Sequence, residues 1–241
     1  MTPQDMPGSP VTAHGHLALL REGPSPTWDA RTEETLCALA GGRALTALSS
    51  HGGRVVLPCR DERRAARTAS KVRAALRDRP VWIGVAWSAG GEGPRAAHEA
   101  REVVRLARGL RFAPGVYRLC DVMMEYACAR TPRVRAAMLA RIAPVADDPV
   151  LRPTLEAVID AGGNRSRAAR ELFIHRSTID YRLGRVHERT GHDPADSRGL
   201  QYLRTALALL HRAPAEAAAV DAAEDVRRPE PHRAGHRASR G

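Results

Sequence analysis

The sequence has few aromatic residues, a single lysine and a single asparagine, and these shortages limit what the chain can be. Aromatic residues make up 4% of the 241 positions, so a core must rely on Leu, Val, Ile and Ala, which favours a helix-rich protein. Lys71 and Asn164 are alone of their kind. The formal charge of +11 suits an anionic partner such as nucleic acid, but a GC-rich genome also raises arginine content, so charge alone leaves the partner open.

Paired cysteines and long apolar runs are also missing. The four cysteines, at positions 37, 59, 120 and 128, form no CxxC pair and no Cys/His spacing, so we expect reduced core thiols with no metal site, disulfide framework or cofactor. No apolar run approaches the ~18 residues of a membrane helix, and residues 1–10 lack the pattern of a signal peptide. These absences predict a soluble, cytoplasmic protein with no membrane partner.

Composition along the chain predicts four segments. Residues 1–27 mix Pro, Gly, Ser and Thr around one apolar patch, Leu17 to Leu20, and are predicted to be a flexible leader. Residues 28–148 are predicted to form a small α+β domain and residues 149–212 an all-helical domain. Residues 213–241 have no apolar face and are predicted to be a disordered tail.

Within residues 28–148 the period of the apolar pattern changes repeatedly between that of a helix and that of a strand. The predicted order is a helix, a hairpin, a helix, a strand, a helix, a strand and one long helical stretch. They lie at Thr32–Leu39, around His51-Gly52-Gly53, and at Asp61–Leu76, Val81–Trp87, Ala96–Leu106, Gly115–Leu119 and Val122–Ile142. Pro144 and Asp147-Asp148-Pro149 are predicted to break the chain before the helical domain.

The helical domain contains two short helical patterns joined by a tight turn. A first helix is predicted to end at Ala161-Gly162-Gly163, and Asn164 to cap the next one, whose buried stripe is Ala168, Ala169 and Leu172. A turn at Phe173-Ile174-His175 leads into a third helix, Arg176 to Arg189. On it Ile179, Leu183 and Val186 are spaced to share a core-facing side, and the opposite side carries Ser177, Tyr181 and Glu188.

This arrangement is that of a helix-turn-helix, whose third helix enters the major groove of DNA and meets base edges in its first turn, here His175 to Thr178. Residues 164–190 carry seven arginines against Glu171, Asp180 and Glu188, a local net charge of +4. Such a surplus provides the phosphate contacts from which sequence-independent affinity for DNA arises. An ordinary helical hairpin with a solvated charged face remains the alternative.

The run LEAVIDAGGNRSRAARELFIHRSTIDYRLGRVHERTG, continued by GLQYLRTALALL, resembles the C-terminal helix-turn-helix of the PucR/CdaR family of bacterial transcription regulators, with its GGN, HR[NS]T and YRL elements. The resemblance implies DNA contacts at Arg176, Ser177, Thr178, Tyr181 and Arg182. Arg176 is suited to guanine, Thr178 and Arg182 to phosphate, and Tyr181 to sugar or a thymine methyl. The full predicted DNA-binding set is Arg165, Ser166, His175, Arg176, Ser177, Thr178, Asp180, Tyr181, Arg182 and Arg185.

Two positions depart from the family pattern. Asp180 stands where a basic or neutral polar residue is usual, and an acid there repels phosphate unless it accepts a hydrogen bond from a cytosine amino group. Gly184 lies inside the helix where arginine is common, at a cost of about 1 kcal/mol relative to alanine.

The upstream domain is similar to the degenerate GGDEF-like domain that precedes this helix-turn-helix in the same family. Its hairpin reads Ser50-His51-Gly52-Gly53-Arg54-Val55, with no carboxylate to hold Mg²⁺, so we expect no enzymatic activity. The resemblance implies a double-stranded DNA partner, a homodimer, a location in the cytoplasm at the nucleoid, and room for a small-molecule effector. A nucleotide-binding or cyclase-like enzyme relic and a protein-interaction module without DNA stay open as alternatives.

Overall fold

The structure, a computed structural model, describes residues 13–21, 30–39, 44–49, 51–76 and 79–210. Within these residues the chain forms five strands, nine α-helices and one short 3-10 helix, Leu119–Asp121. The strands are β1 (His14–Arg21), β2 (Leu45–Ser49), β3 (Gly52–Pro58), β4 (Val81–Ser88) and β5 (Val116–Arg118). The helices are α1 (Ala30–Leu39), α2 (Glu62–Ala75), α3 (Gly93–Gly109), α4 (Met123–Arg130), α5 (Pro132–Ala146), α6 (Leu151–Asp160), α7 (Arg165–Glu171), α8 (Arg176–Thr190) and α9 (Ser197–Leu210). The predicted class, an α+β part followed by an all-helical part, is confirmed.

The five strands form one sheet in the order β2-β3-β1-β4-β5, with β1 at its centre. Strand β1 pairs antiparallel with both β3 and β4, whereas β4 and β5 are parallel. This corrects the predicted flexible leader, because His14–Arg21 falls inside it. The other leader positions, 1–12 and 22–27, and the predicted tail lie outside the described residues.

Both faces of the sheet are covered by helices. Leu17 and Leu19 of β1 pack into a cluster with α1 and α2, whereas Ala18 and Leu20 pack on the other face with α3. Successive strand residues point to opposite faces, so a strand buried on both sides needs apolar residues in a row. That requirement explains why the patch at 17–20 is a continuous apolar run without alternation.

Close contact between β4 and α3 depends on a glycine. A Cβ on Gly84 would lie 2.0 Å from the carbonyl oxygen of Ala100, so no other residue fits without moving the helix. Because α3 also contributes Val103, Leu106 and Ala107 to the core of the helical part, this contact fixes the sheet relative to the helices that follow.

The predicted hairpin, helices and strands of residues 28–119 are present at the expected places. The single helix predicted over Val122–Ile142 is wrong, because the chain breaks at Thr131 between α4 and α5. Proline forces the residue before it out of the helical region, and Thr131, which precedes Pro132, is extended (φ −103°, ψ 99°). The break predicted at Pro144 is also wrong, since α5 includes it and ends at Ala146.

Helix α3, which packs on the sheet, also belongs to the core of the helical part. Val103 and Leu106 of α3, Ile142 of α5, Leu155 of α6 and Leu203 of α9 belong to a single buried cluster. The boundary predicted at Asp148 lies in the connection between α5 and α6, and the helices on both sides of it contribute residues to this core. Among the described residues, no helix is both long and apolar enough to cross a membrane.

Candidate nucleic-acid interface

The entry into α7 is built from two glycines and a cap. Gly162 and Gly163 have positive φ angles, 61° and 85°, which glycine adopts at little cost, and Gly163 N donates to Val158 O at 2.8 Å to close α6. The next residue, Asn164, accepts a hydrogen bond from Arg167 N at 3.0 Å, as an N-cap does. The predicted end of the preceding helix and the predicted Asn164 cap are both confirmed, and together these contacts set the direction of α7.

The turn from α7 to α8 spans Leu172 to His175. Phe173 has a positive φ of 54°, and Ile174 N returns to Ala169 O at 3.0 Å. His175 caps α8, since its Nδ1 accepts from Ser177 N at 3.3 Å and lies 2.7 Å from Ser177 Oγ. The cap ties His175, the last residue of the connecting turn, to Ser177 in the first turn of α8, and so holds both side chains in place.

The buried side of α8 meets two clusters. Ile179 and Leu183 pack with Ala168 and Ala169 of α7, where the small alanine side chains let the two helices approach. Val186, predicted to share that core, instead belongs to the larger cluster of α3, α5 and α9. Helix α8 therefore packs both on α7 and on the core that includes α3, α5 and α9.

The outer side of α8 presents the first of the predicted contact residues. His175, Arg176 and Ser177 are exposed, and Tyr181, one turn further on, is 70% exposed. Thr178 is half-buried at the edge of this face. The predicted residues of the first turn therefore form one accessible surface at the N-terminal end of α8.

Asp180 joins this surface to α7. Its carboxylate accepts from Arg165 Nη1 at 2.7 Å and lies 3.9 Å from Arg176 Nε on its own helix. The acid that departs from the family pattern is therefore placed between two arginines of the predicted interface, and both remain partly exposed. In this position it neutralises part of their charge and holds Arg165 toward α8.

Two other predicted arginines also have protein partners. Arg182 donates from Nη1 to Thr154 Oγ1 of α6 at 3.2 Å, so in this conformation its guanidinium is directed into the protein. Arg185 pairs with Glu188 at 2.5 Å on the exposed side. Arg165 is half-buried and Ser166 exposed at the start of α7.

Phe173 is a feature of the surface that the sequence argument missed. Its side chain is 95% exposed although it is one of only two phenylalanines, and it stands beside the N-terminal end of α8. Its exposure could have been inferred from its position in a turn between two capped helices, where no core residue is expected.

The comparisons with known proteins agree with this geometry. Residues 151–209 match the model of the PucR C-terminal helix-turn-helix domain, which covers α6 to α9. Uncharacterised proteins of Mycobacterium bovis and Mycobacterium tuberculosis are 35% identical over 135 residues, which are 55% of this chain and 33% of each relative. The chain thus spans about a third of the length of the curated relatives it matches.

A solved structure, that of a regulator of polyketide synthase expression from Bifidobacterium adolescentis, is 21% identical and covers 84% of this chain and 82% of that one. Its TM-score of 0.36 is too low to assign a fold or a function. What the comparisons show is limited to residues 151–209: this segment, with its two capped helices and tight turn, matches the C-terminal helix-turn-helix domain of PucR proteins.

Proposed function

We propose that the protein is a sequence-specific DNA-binding transcriptional regulator whose α8 is the recognition helix and lies in the major groove. The observation that carries the proposal is the exposed first turn of α8, fixed by the His175 cap in a segment that matches a helix-turn-helix domain. A helix of this kind reads base edges with its N-terminal residues, which are the residues exposed here.

Within that surface we assign roles by chemistry. Arg176 forms the bidentate pair with guanine, since its fork of donors matches the two acceptors of that base. Tyr181 contacts sugar or a thymine methyl, and Ser177, Thr178 and His175 contribute hydrogen bonds to bases or phosphates near the helix start.

Charges at the edge of the interface contact phosphates in this proposal. Arg165 and Ser166, at the N-terminal end of α7, and Arg185 of α8 approach the backbone on either side of the groove. Asp180 acts through Arg165 and Arg176 by holding their guanidinium groups. Arg182 contacts phosphate only if it leaves Thr154, and otherwise it positions α8 against α6.

The α+β part has a different role in the proposal. We infer that it supports a homodimer, so that two helix-turn-helix units read half-sites about 34–36 Å apart, and that the protein acts in the cytoplasm at the nucleoid. We propose no enzymatic step, because the hairpin sequence from Ser50 to Val55 has no carboxylate for Mg²⁺. Sedimentation with and without a two-half-site duplex tests the dimer.

The test of DNA binding uses labelled fragments of the protein's own upstream region across a salt series. Wild type should select one fragment, with affinity that falls steeply as salt rises. Arg176→Ala should lose about 1–3 kcal/mol of discrimination, roughly 5- to 150-fold in affinity, while weak salt-sensitive binding remains. Arg133→Ala is the matched control, because Arg133 is an exposed arginine of α5 outside the proposed interface.

Other outcomes identify the alternatives. Binding by none of the three proteins at low salt removes the DNA-binding proposal for this chain. A complex with a protein partner that is insensitive to salt supports an interaction module, and Mg²⁺-dependent turnover of GTP supports the cyclase-like alternative.

A further inference from the structure

A cleft of about 720 Å³ lies between the sheet and the helix-turn-helix. One wall comes from the C-terminal end of α3 and from Trp82 of β4, and the other from the end of α6, from Arg167 of α7 and from Arg204 of α9. Its volume falls within the ~300–1,000 Å³ that is usual for small-ligand sites, and sites between two structural units are common.

Arginines dominate the lining of this cleft. Among the described lining residues five are arginines, at positions 105, 108, 111, 167 and 204, and one, Asp160, is a carboxylate. A concave site with this excess of one charge concentrates ligands of the opposite charge. The arrangement therefore favours an anion.

Two of these arginines have buried donors that are not used. Arg105 Nη2 and Arg204 Nε are buried and have no hydrogen-bond partner among the described residues. The Arg105 side chain is only 13% exposed, and its one paired nitrogen, Nη1, lies 3.1 Å from Glu102. A buried donor without a partner is costly, so a shift of these side chains that brings the donors to a bound acceptor would be favourable.

Aromatic rings support the guanidinium groups on the same side. Arg108 lies over the ring of Trp82 at 5.8 Å and Arg204 over that of Phe112 at 5.3 Å. Trp82 Nε1 donates to Phe112 O at 2.7 Å, which fixes the indole. Arginines stacked on rings are held in place before binding, so less conformational entropy is lost when they bind a ligand.

The cleft also joins the two parts of the molecule. Arg111 donates from Nε to both carboxylate oxygens of Asp160 at 2.7 Å, and its backbone has a positive φ of 60°. Positive φ is uncommon for a residue other than glycine, and such positions occur often at ligand sites. Asp160 immediately precedes the turn that leads into α7, so a ligand here would contact the base of the helix-turn-helix.

We propose that this cleft is a binding site for a small anionic ligand that carries a phosphate or carboxylate group. The anion pairs with the guanidinium groups of Arg105 and Arg204, whose buried donors Nη2 and Nε turn toward it on binding, and Arg108 adds charge at the rim. An apolar or flat portion of the ligand packs against Trp82 and Phe112. The site contains none of the residues assigned to DNA contact, so it stands or fails separately from the proposed function.

The experiment titrates the full chain with inorganic phosphate and, separately, with succinate, by calorimetry at constant ionic strength with sodium chloride as the reference. Phosphate and succinate distinguish the two anion types. Arg204→Gln and Arg108→Gln each remove one guanidinium from the cleft, and Arg133→Gln removes one from the exposed side of α5. Thermal melting without ligand checks that each variant is folded.

We expect saturable one-site binding of at least one anion, weakened about tenfold by either cleft variant, which corresponds to about 1.4 kcal/mol, and unchanged in Arg133→Gln. Arg176→Ala should bind the anion as wild type does, because α8 is outside the cleft. The proposal is overturned if neither anion binds more than chloride, if both folded cleft variants bind like wild type, or if Arg176→Ala abolishes binding, which would put the anion on the DNA-facing surface.

Discussion

The Asp180→Asn substitution tests how the acid on the recognition helix acts. Asp180 accepts from Arg165 at 2.7 Å and lies 3.9 Å from Arg176 Nε. Asparagine keeps the size of the side chain and removes its charge. If Asp180 restrains these two arginines, the variant should release them toward phosphate, and its affinity for DNA of unrelated sequence should rise.

The exposure of the Arg165–Asp180 pair sets the expected loss of folding stability, and the number of new phosphate contacts sets the change in salt dependence. The Arg165 and Asp180 side chains are 31% and 41% exposed, and ion pairs of such exposure contribute about 0.2–1 kcal/mol, so the loss of folding stability should be no larger. Each phosphate newly contacted steepens the dependence of log K on log salt by about 0.9. A fourfold rise in salt would then cost the variant an additional factor of about 3.5 per new contact.

Fluorescence anisotropy with a labelled duplex of unrelated sequence, at four or more salt concentrations, measures the slope. Glu92→Gln is the matched control, since Glu92 pairs with Arg95 at 3.6 Å at the start of α3, outside the proposed interface. A slope equal to that of wild type, together with weaker binding to the selected fragment, would show that Asp180 does not restrain Arg165 and Arg176. That result would mean that Asp180 itself contacts a base, as an acceptor from cytosine.

Three further predictions concern stability. Gly84→Ala should lower the free energy of unfolding by about 1–3 kcal/mol in urea denaturation, because its Cβ would meet Ala100 O at 2.0 Å; an unchanged midpoint would contradict the close packing of α3 on β4. Phe173→Gly should raise the free energy of unfolding by about 0.5–1 kcal/mol, since the left-handed φ of 54° disfavours a residue with Cβ. Phe112→Gly is the control: Phe112 packs at the edge of a buried cluster, so this substitution should not raise the free energy of unfolding. Burial, aided by the charges of His14 and Arg54, lowers the pKa of His16 from 6.5 to about 4. Between pH 6.5 and 4 the unfolded chain therefore binds more protons than the folded chain. Acidification through this range should lower the free energy of unfolding by up to about 3 kcal/mol. If His16→Gln loses as much stability as wild type between pH 7 and 4, the titration of His16 is not the cause.

Local signals predicted most of the elements. The hairpin at His51-Gly52-Gly53, the Asn164 cap and the Gly162-Gly163 helix end each depend on a few neighbouring residues, and all three are present. Strand β1 could not be found in this way. Its apolar residues are buried by partners far along the chain, on both faces of the sheet, and the surrounding Pro, Gly and Ser residues resemble those of a flexible segment.

The same limit applies to the candidate site. Spacing on one helix predicts which residues of α8 face outward, and the exposure of Arg176 and Tyr181 agrees with it. The partners of the arginines depend on packing between helices. Arg165 and Asp180 are fifteen residues apart, and Arg182 reaches Thr154 across the α6–α8 contact, so neither pair can be inferred from periodicity.

The most direct test of α8 as the recognition helix is protection of guanine N7 from dimethyl sulfate in the selected fragment, since N7 lies in the major groove and accepts from arginine. We expect wild type to protect at least one guanine in each half-site. Arg176→Ala, at a concentration that occupies the fragment equally, should leave that guanine reactive, and Arg133→Ala should protect it. Identical protection by wild type and Arg176→Ala would contradict the assignment of Arg176 and of the first turn of α8 as the surface that reads DNA.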